Sequence, residues 1–276
     1  MAFEPSLEEF AREAVQRWSS PTTRDTSAKS RSQLAGSTRH VMTYRETLNY
    51  PHDEDGAAIP LCLFSWGGPA SHSVILAHGW ELQAGRMAPL VPPLLAAGFR
   101  VIAVDAPAHG ESGGAELNLP NYARAIGAAC DWAGGDISIL AHSFGGTAAL
   151  WLAAFEPPPT LQSVVTMGAG SGAAYLSAHI LRHLDEAHRR AWVAEFVRRF
   201  GMPPSSYNIE AFGSRISVPV LIAHDSNDNM VSPSQADLIA AHVCSVRRIA
   251  TDGFGHVAMM RSPQLAARIV EFLADC

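Results

Sequence analysis

The chain has 276 residues, 47% of them hydrophobic, and a formal charge of −6. That length suits one large α/β domain with a sizeable core, and the acidic balance gives no electrostatic footprint for a nucleic acid or an anionic membrane. There is no basic-then-apolar leader and no apolar run long enough to span a bilayer, so a soluble cytoplasmic protein is expected.

Residues 6–18 (SLEEFAREAVQRW) read as an amphipathic helix, with Ser6 as N-cap and Glu9 completing a capping box. Residues 19–39 are rich in Ser, Thr and Arg and read as a loosely ordered linker, completing an N-terminal unit of residues 1–39. HVMTYRETLNY and IPLCLFSW then read as two early strands forming an antiparallel edge. They are followed by SVILAHGW, FRVIAVDAP, DISILAHSFGG, LQSVVTMGAG, VPVLIAHDSND and VRRIATDGFGH, apolar runs of the kind a sheet covered on both faces requires. Helical patterns fall between or after them at 87–97, 121–132, 145–155, 234–242 and 263–274. Strand–helix alternation implies parallel βαβ units in a doubly wound sheet.

One interval breaks the rhythm. Residues 171–217 hold helical patterns and the aromatics Tyr175, Trp192, Phe196, Phe200, Tyr207 and Phe212, but no strand. They read as a helical lid inserted into a core made of 40–170 and 218–276.

The densest chemical signal lies in DISILAHSFGG. A serine at a sharp strand-to-helix turn presents its hydroxyl above the sheet at a helix N-terminus, where developing negative charge is stabilised. Ser143 holds that place, with small residues Ala141 and Gly145 two positions to either side. A serine needs a base to take its proton, and His256, in a glycine-flexed loop after the last strand, is the candidate. A histidine base needs an acid to hold its tautomer, and Asp228, in the polar loop after the penultimate strand, fits, with Asp225 as a minor rival. For the oxyanion, the backbone N–H groups of Phe144 and Trp80 are expected donors. Trp80, Phe144, Met230 and Val257 are candidates for the substrate pocket, each being a candidate site residue itself or lying within two positions of one.

Other features read as structural. The four cysteines, Cys62, Cys130, Cys244 and Cys276, form no C-x-x-C pair and are expected as buried thiols. The only lysine, Lys29, leaves no P-loop or Schiff-base lysine in the core. Gly168, Gly170 and Ala173 spell a variant dinucleotide fingerprint, but an acidic residue at a second strand end is missing, so they are read as opening the lid. His179 and His183 stand one helical turn apart without a third ligand and read as a solvated lid face. His78, His109, His142 and His224 read as loop-shaping hydrogen bonders.

LAHGW, DAPAHGES, AHSFGG, HDSNDNMV and GFGHVAMM, in this order over residues 45–276, resemble the α/β-hydrolase family. The resemblance implies an α/β-hydrolase fold: a mostly parallel doubly wound sheet of about eight strands with a small helical lid inserted after strand 6. It implies Ser143, Asp228 and His256 as a triad, and Trp80 and Phe144 as oxyanion donors. The sequence departs from the family pattern at Ala141, Ala108 and Asp225, where glycine is common. A serine at the elbow argues against epoxide hydrolase and haloalkane dehalogenase chemistry, which use aspartate there. A carboxylesterase acting on small to medium acyl esters, without cofactor or metal, is the expected activity. Amidase or aminopeptidase, thioesterase, perhydrolase and C–C bond hydrolase chemistry stay as alternatives, the last with Arg86 or Arg124 holding a substrate carboxylate. A non-catalytic binding module is the competing class, and a homodimer is left open.

Overall fold

The computed structural model describes residues 6–22, 32–50 and 56–276. Helix α1 (Leu7–Ser19) begins with the expected capping box: the Ser6 hydroxyl accepts the Glu9 N–H, and the Glu9 carboxylate accepts the Ser6 N–H. Strands β1 (Thr38–Arg45) and β2 (Ala58–Trp66) form an antiparallel pair. Then come β3 (His72–Ala77), α2 (Val91–Ala96), β4 (Arg100–Val104), α3 (Leu119–Ala133), β5 (Asp136–His142), α4 (Phe144–Phe155) and β6 (Leu161–Met167). Three helices follow without an intervening strand: α5 (Ala173–Leu181), α6 (Glu186–Phe200) and the short α7 (Ile209–Phe212). The chain closes with β7 (Val220–Asp225), α8 (Ser234–His242), β8 (Val246–Thr251), α9 (Gly255–Ala258) and α10 (Pro263–Ala274).

The eight strands make one sheet in the order β1-β2-β4-β3-β5-β6-β7-β8. β2 runs antiparallel to both its neighbours, and every pair from β4 through β8 is parallel. β3, β5, β6 and β7 are apolar nearly end to end because helices cover both faces. β8 differs from the apolar run expected of it: as an edge strand it exposes Arg247 and Arg248 and buries only Ile249. On one face Val91, Leu94, Leu265, Ile269 and Phe272, from α2 and α10, close the core. On the other, Tyr122 and Ile126 of α3 pack with Trp151 of α4, and that core runs on into Val15 of α1 and Trp192 of α6. Among the described residues no helix is long and apolar enough to cross a membrane.

Three further expectations are corrected. The helix expected over 87–97 starts as a 3₁₀ turn, Ala84–Leu90, and becomes α-helical only at Val91. Pro89, Pro92 and Pro93 each lack the N–H that a continuous α-helix would use. The start of the supposed linker is tied down: the Ser19 hydroxyl donates to Glu116, and the N–H and hydroxyl of Thr22 donate to Glu81. Residues 23–31 lie outside the described residues, Lys29 among them. All four cysteines are free, but only Cys62 and Cys130 are buried. Cys244, in the turn before the edge strand β8, and Cys276, past the end of α10, are exposed.

Candidate active site

The site is assembled at the carboxyl ends of β5, β6, β7 and β8. Ser143 lies between the last residue of β5 and the first of α4, at φ 53° and ψ −122°, a strained conformation for a residue with a Cβ. Two of its bonds hold it there: its N–H donates to Met167 O at 2.8 Å, and its carbonyl accepts the Gly146 N–H at 2.9 Å. The tight closure explains the small residues around it. A Cβ on Gly145 would stand 2.5 Å from His78 O.

His256 sits on the short helix α9 and Asp228 in the loop after β7; both side chains are almost wholly buried. His256 Nδ1 lies 2.7 Å from Asp228 Oδ2, and its Nε2 lies 3.0 Å from Ser143 Oγ. A carboxylate can only accept, so Nδ1 carries the proton. That leaves the Nε2 lone pair facing the serine hydroxyl. The other oxygen of Asp228 accepts the N–H groups of Met230 (2.9 Å) and Val231 (2.8 Å), and His224 Nε2 approaches Oδ2 at 3.4 Å. Burial pushes the Asp228 pKa up, but hydrogen bonds from His224, His256 and the Val231 N–H outweigh it, and the carboxyl titrates well below its usual range. The group is therefore ionised at neutral pH.

The structure separates the two aspartates. Asp225 is spent on the loop that carries α9: its carboxylate accepts the Thr251 hydroxyl and the N–H groups of Asn227, Phe254 and Gly255. Only Asp228 faces the His256 ring.

Gly79 packs directly against the serine, since a Cβ there would lie 3.0 Å from Ser143 Cβ. This brings the backbone of Trp80 to the site. Phe144 is the first residue of α4, where an N–H has no intrahelical acceptor. The Trp80 ring stands edge-on to those of Phe144 and His109, at 5.8 and 5.3 Å. Of the other pocket candidates, Met230 is 67% exposed, and its link to the site is its backbone bond to Asp228. Val257 packs against the core on the α2 and α10 face of the sheet.

The histidines within the motifs staple loops. The Ala106 N–H donates to His78 Nε2 at 3.0 Å, so Nδ1–H donates to Gly79 O at 2.7 Å. His109 does the same between the Glu81 N–H and Pro107 O. Burial pulls the His78 pKa down to about 3. Arg124 is committed to a two-pronged pair with Glu156 and is not free to hold a substrate carboxylate. Asp185 caps α6, through the His188 N–H, rather than any ribose. The side chain of His179 lies outside the described residues, so its pairing with His183 does too.

Gly168, read from the sequence as opening the lid, belongs to the site. It has φ +59°, and a Cβ on it would lie 3.1 Å from His256 Nδ1 and 3.2 Å from Asp228 Oδ2. Its place follows from the register of the sheet: β5 and β6 are parallel with His142 opposite Met167, which sets Gly168 beside Ser143.

The model of the alpha/beta hydrolase family matches residues 74–269, more than half of the chain. The chain belongs to the alpha/beta hydrolase family. Its fold is the α/β-hydrolase fold, with an eight-stranded, mostly parallel sheet between helices. Among solved structures it is similar to a bacterial membrane phospholipase A described as a virulence factor (TM-score 0.66, 16% identity, covering 96% of this chain and 92% of that one). It is also similar to the Pyrococcus furiosus esterase Pf2001 (TM-score 0.65, 19% identity, 92% and 98% covered). A third is a serine hydrolase involved in carbazole degradation (TM-score 0.60, 17% identity, 86% and 100% covered). At such identities the likeness is one of fold. No curated protein matches the sequence.

Proposed function

We propose that the chain is a serine carboxylesterase that cleaves small to medium acyl esters through an acyl-enzyme on Ser143. The observation that carries this reading is the unbroken relay from Asp228 through His256 to Ser143, with contacts of 2.7 and 3.0 Å. In this mechanism His256 Nε2 takes the hydroxyl proton as Ser143 Oγ attacks the ester carbonyl. The oxyanion is held by the N–H groups of Trp80 and Phe144. His256 then passes the proton to the leaving alcohol, and the acyl group stays on Ser143. A water that gives its proton to His256 attacks the acyl-enzyme, and His256 returns the proton to Ser143 as the acid departs. Asp228 stays ionised and stabilises the imidazolium. The residues in these roles need neither metal nor cofactor, and helices α5 to α7 act as a lid over the serine.

The test is hydrolysis of p-nitrophenyl esters, from acetate to dodecanoate, by wild type and Ser143→Ala in parallel. Release by wild type with a loss of about 10⁴- to 10⁶-fold in the variant supports the reading. No release by wild type at any length removes it.

A further inference from the structure

A narrow apolar hollow of about 10 Å³ lies against Phe144, the residue after the serine, between the core and the helices that follow β6. Leu119 of α3 and Phe144 of α4 form its core side, and Leu176 of α5, Phe196 of α6 and Tyr207 form its outer side. Its remaining wall comes from far away in sequence: Trp18, at the end of α1. The polar groups around it are already satisfied. Asn118 accepts the Asn121 N–H and donates to Leu48 O, and the Tyr207 hydroxyl donates to Phe200 O. An occupant would find hydrocarbon on every side and no partner for a charge or a hydroxyl. Burying such a group unpaired is costly.

Trp18 is fixed in this place on two sides. Its ring meets Trp192 and Phe196 of α6 at 5.9 and 5.4 Å. The next residue, Ser19, donates to Glu116, and Arg199 of α6 pairs with the same carboxylate. The Ser19 carbonyl also accepts the Leu117 N–H at 2.7 Å. Three residues on, Thr22 holds Glu81, the neighbour of Trp80. The N-terminal helix is thus clamped both to α6 and to the rim of the serine site.

Building on the esterase reading, we propose that Trp18 is the end wall of the acyl pocket and sets the chain-length limit for a plain hydrocarbon acyl group. A carbonyl oxygen directed to the Phe144 N–H sends its acyl chain past the Phe144 ring, and that ring lines the hollow. Each further buried methylene raises kcat/KM by about fourfold until the chain meets Trp18. Beyond that length kcat/KM falls. An acyl group ending in a carboxylate is rejected.

The test is the chain-length profile of kcat/KM for wild type, Trp18→Ala and Leu176→Trp, with thermal unfolding of each. Trp18→Ala should move the optimum to longer acyl chains, and Leu176→Trp should move it to shorter ones. A hemisuccinate ester should be poorer than the butyrate in wild type. If either variant fails to fold, the other decides. Hydrolysis by wild type with an unmoved optimum in a folded variant overturns the role of Trp18 alone. Absence of hydrolysis by wild type at every length overturns the esterase reading itself.

Discussion

His142 donates its Nε2–H to the main-chain carbonyl of His256 at 2.9 Å, so the residue that precedes the serine holds the backbone of the histidine that faces it. The two rings also lie 4.7 Å apart. Nε2 donates in either protonation state, but Nδ1 is buried with no hydrogen-bond partner among the described residues, so a second proton there would go unpaired. Burial pulls its pKa down to about 4, which keeps the ring uncharged at neutral pH. His142 is in this account a positioning residue. His142→Ala should lower kcat by roughly 10- to 100-fold through misplacement of His256, with a much smaller change in KM. A variant that raises KM and spares kcat would contradict that role.

Gly168→Ala should be more damaging than its size suggests. The new methyl would press on both His256 and Asp228, at a left-handed φ that costs an alanine about 1–2 kcal/mol. The expected result is a lower melting temperature together with a loss of activity. Wild-type kinetics in this variant would show that the pair does not need the space the glycine leaves.

The two aspartates should part company on substitution. Asp228→Asn should cost about 10⁴-fold in kcat, as the loss of the acid does in other Ser-His-Asp triads. Asp225→Asn sets an amide against four donors, so its cost falls on stability, about 1–3 kcal/mol for each donor left unpaired. Kinetics of both variants combined with urea unfolding separate the effects. A folded Asp225→Asn as inactive as Asp228→Asn would reopen the choice of acid.

Stability should fall on mild acidification. His78 and His142 titrate at about 3 and about 4 in the fold, against 6.5 when unfolded. As the pH drops from 6.5 towards 4, the unfolded chain therefore gains protons at two sites that the folded chain refuses. Asp105 works the other way: burial raises it to about 6, so it binds its proton more readily when folded. Two histidines outweigh one carboxyl. Below pH 4 the depressed Asp228 adds to the loss, because the unfolded chain takes up that proton first. Thermal unfolding at pH 7.5 and pH 5 checks this. A melting temperature that is higher at pH 5 would contradict it.

Strand–helix alternation made the parallel part of the sheet legible, because short apolar runs such as SVILAHGW and LQSVVTMGAG, separated by helical patterns, suit strands covered on both faces. The elbow at Ser143 was legible for a local reason, the small residues that a sharp turn demands. What stayed hidden depends on contacts distant in sequence. Nothing near Gly168 in the chain announces that it borders His256, 88 positions on. Trp18 reads as one more apolar position on an amphipathic helix, and only packing against α6 turns it towards a hollow beside Phe144. Ala108 shows the converse. It stands where the family pattern commonly has glycine and takes a left-handed backbone, at φ 64°, which glycine would adopt without the strain an alanine bears.

The most direct test of the central claim is intact-mass and peptide mapping after exposure to a fluorophosphonate, which phosphonylates an activated serine with loss of fluoride. The account predicts one adduct, on the peptide that carries Ser143, formed by wild type and formed far more slowly by His256→Ala. An unlabelled wild type, or equal labelling of the two proteins, would contradict it.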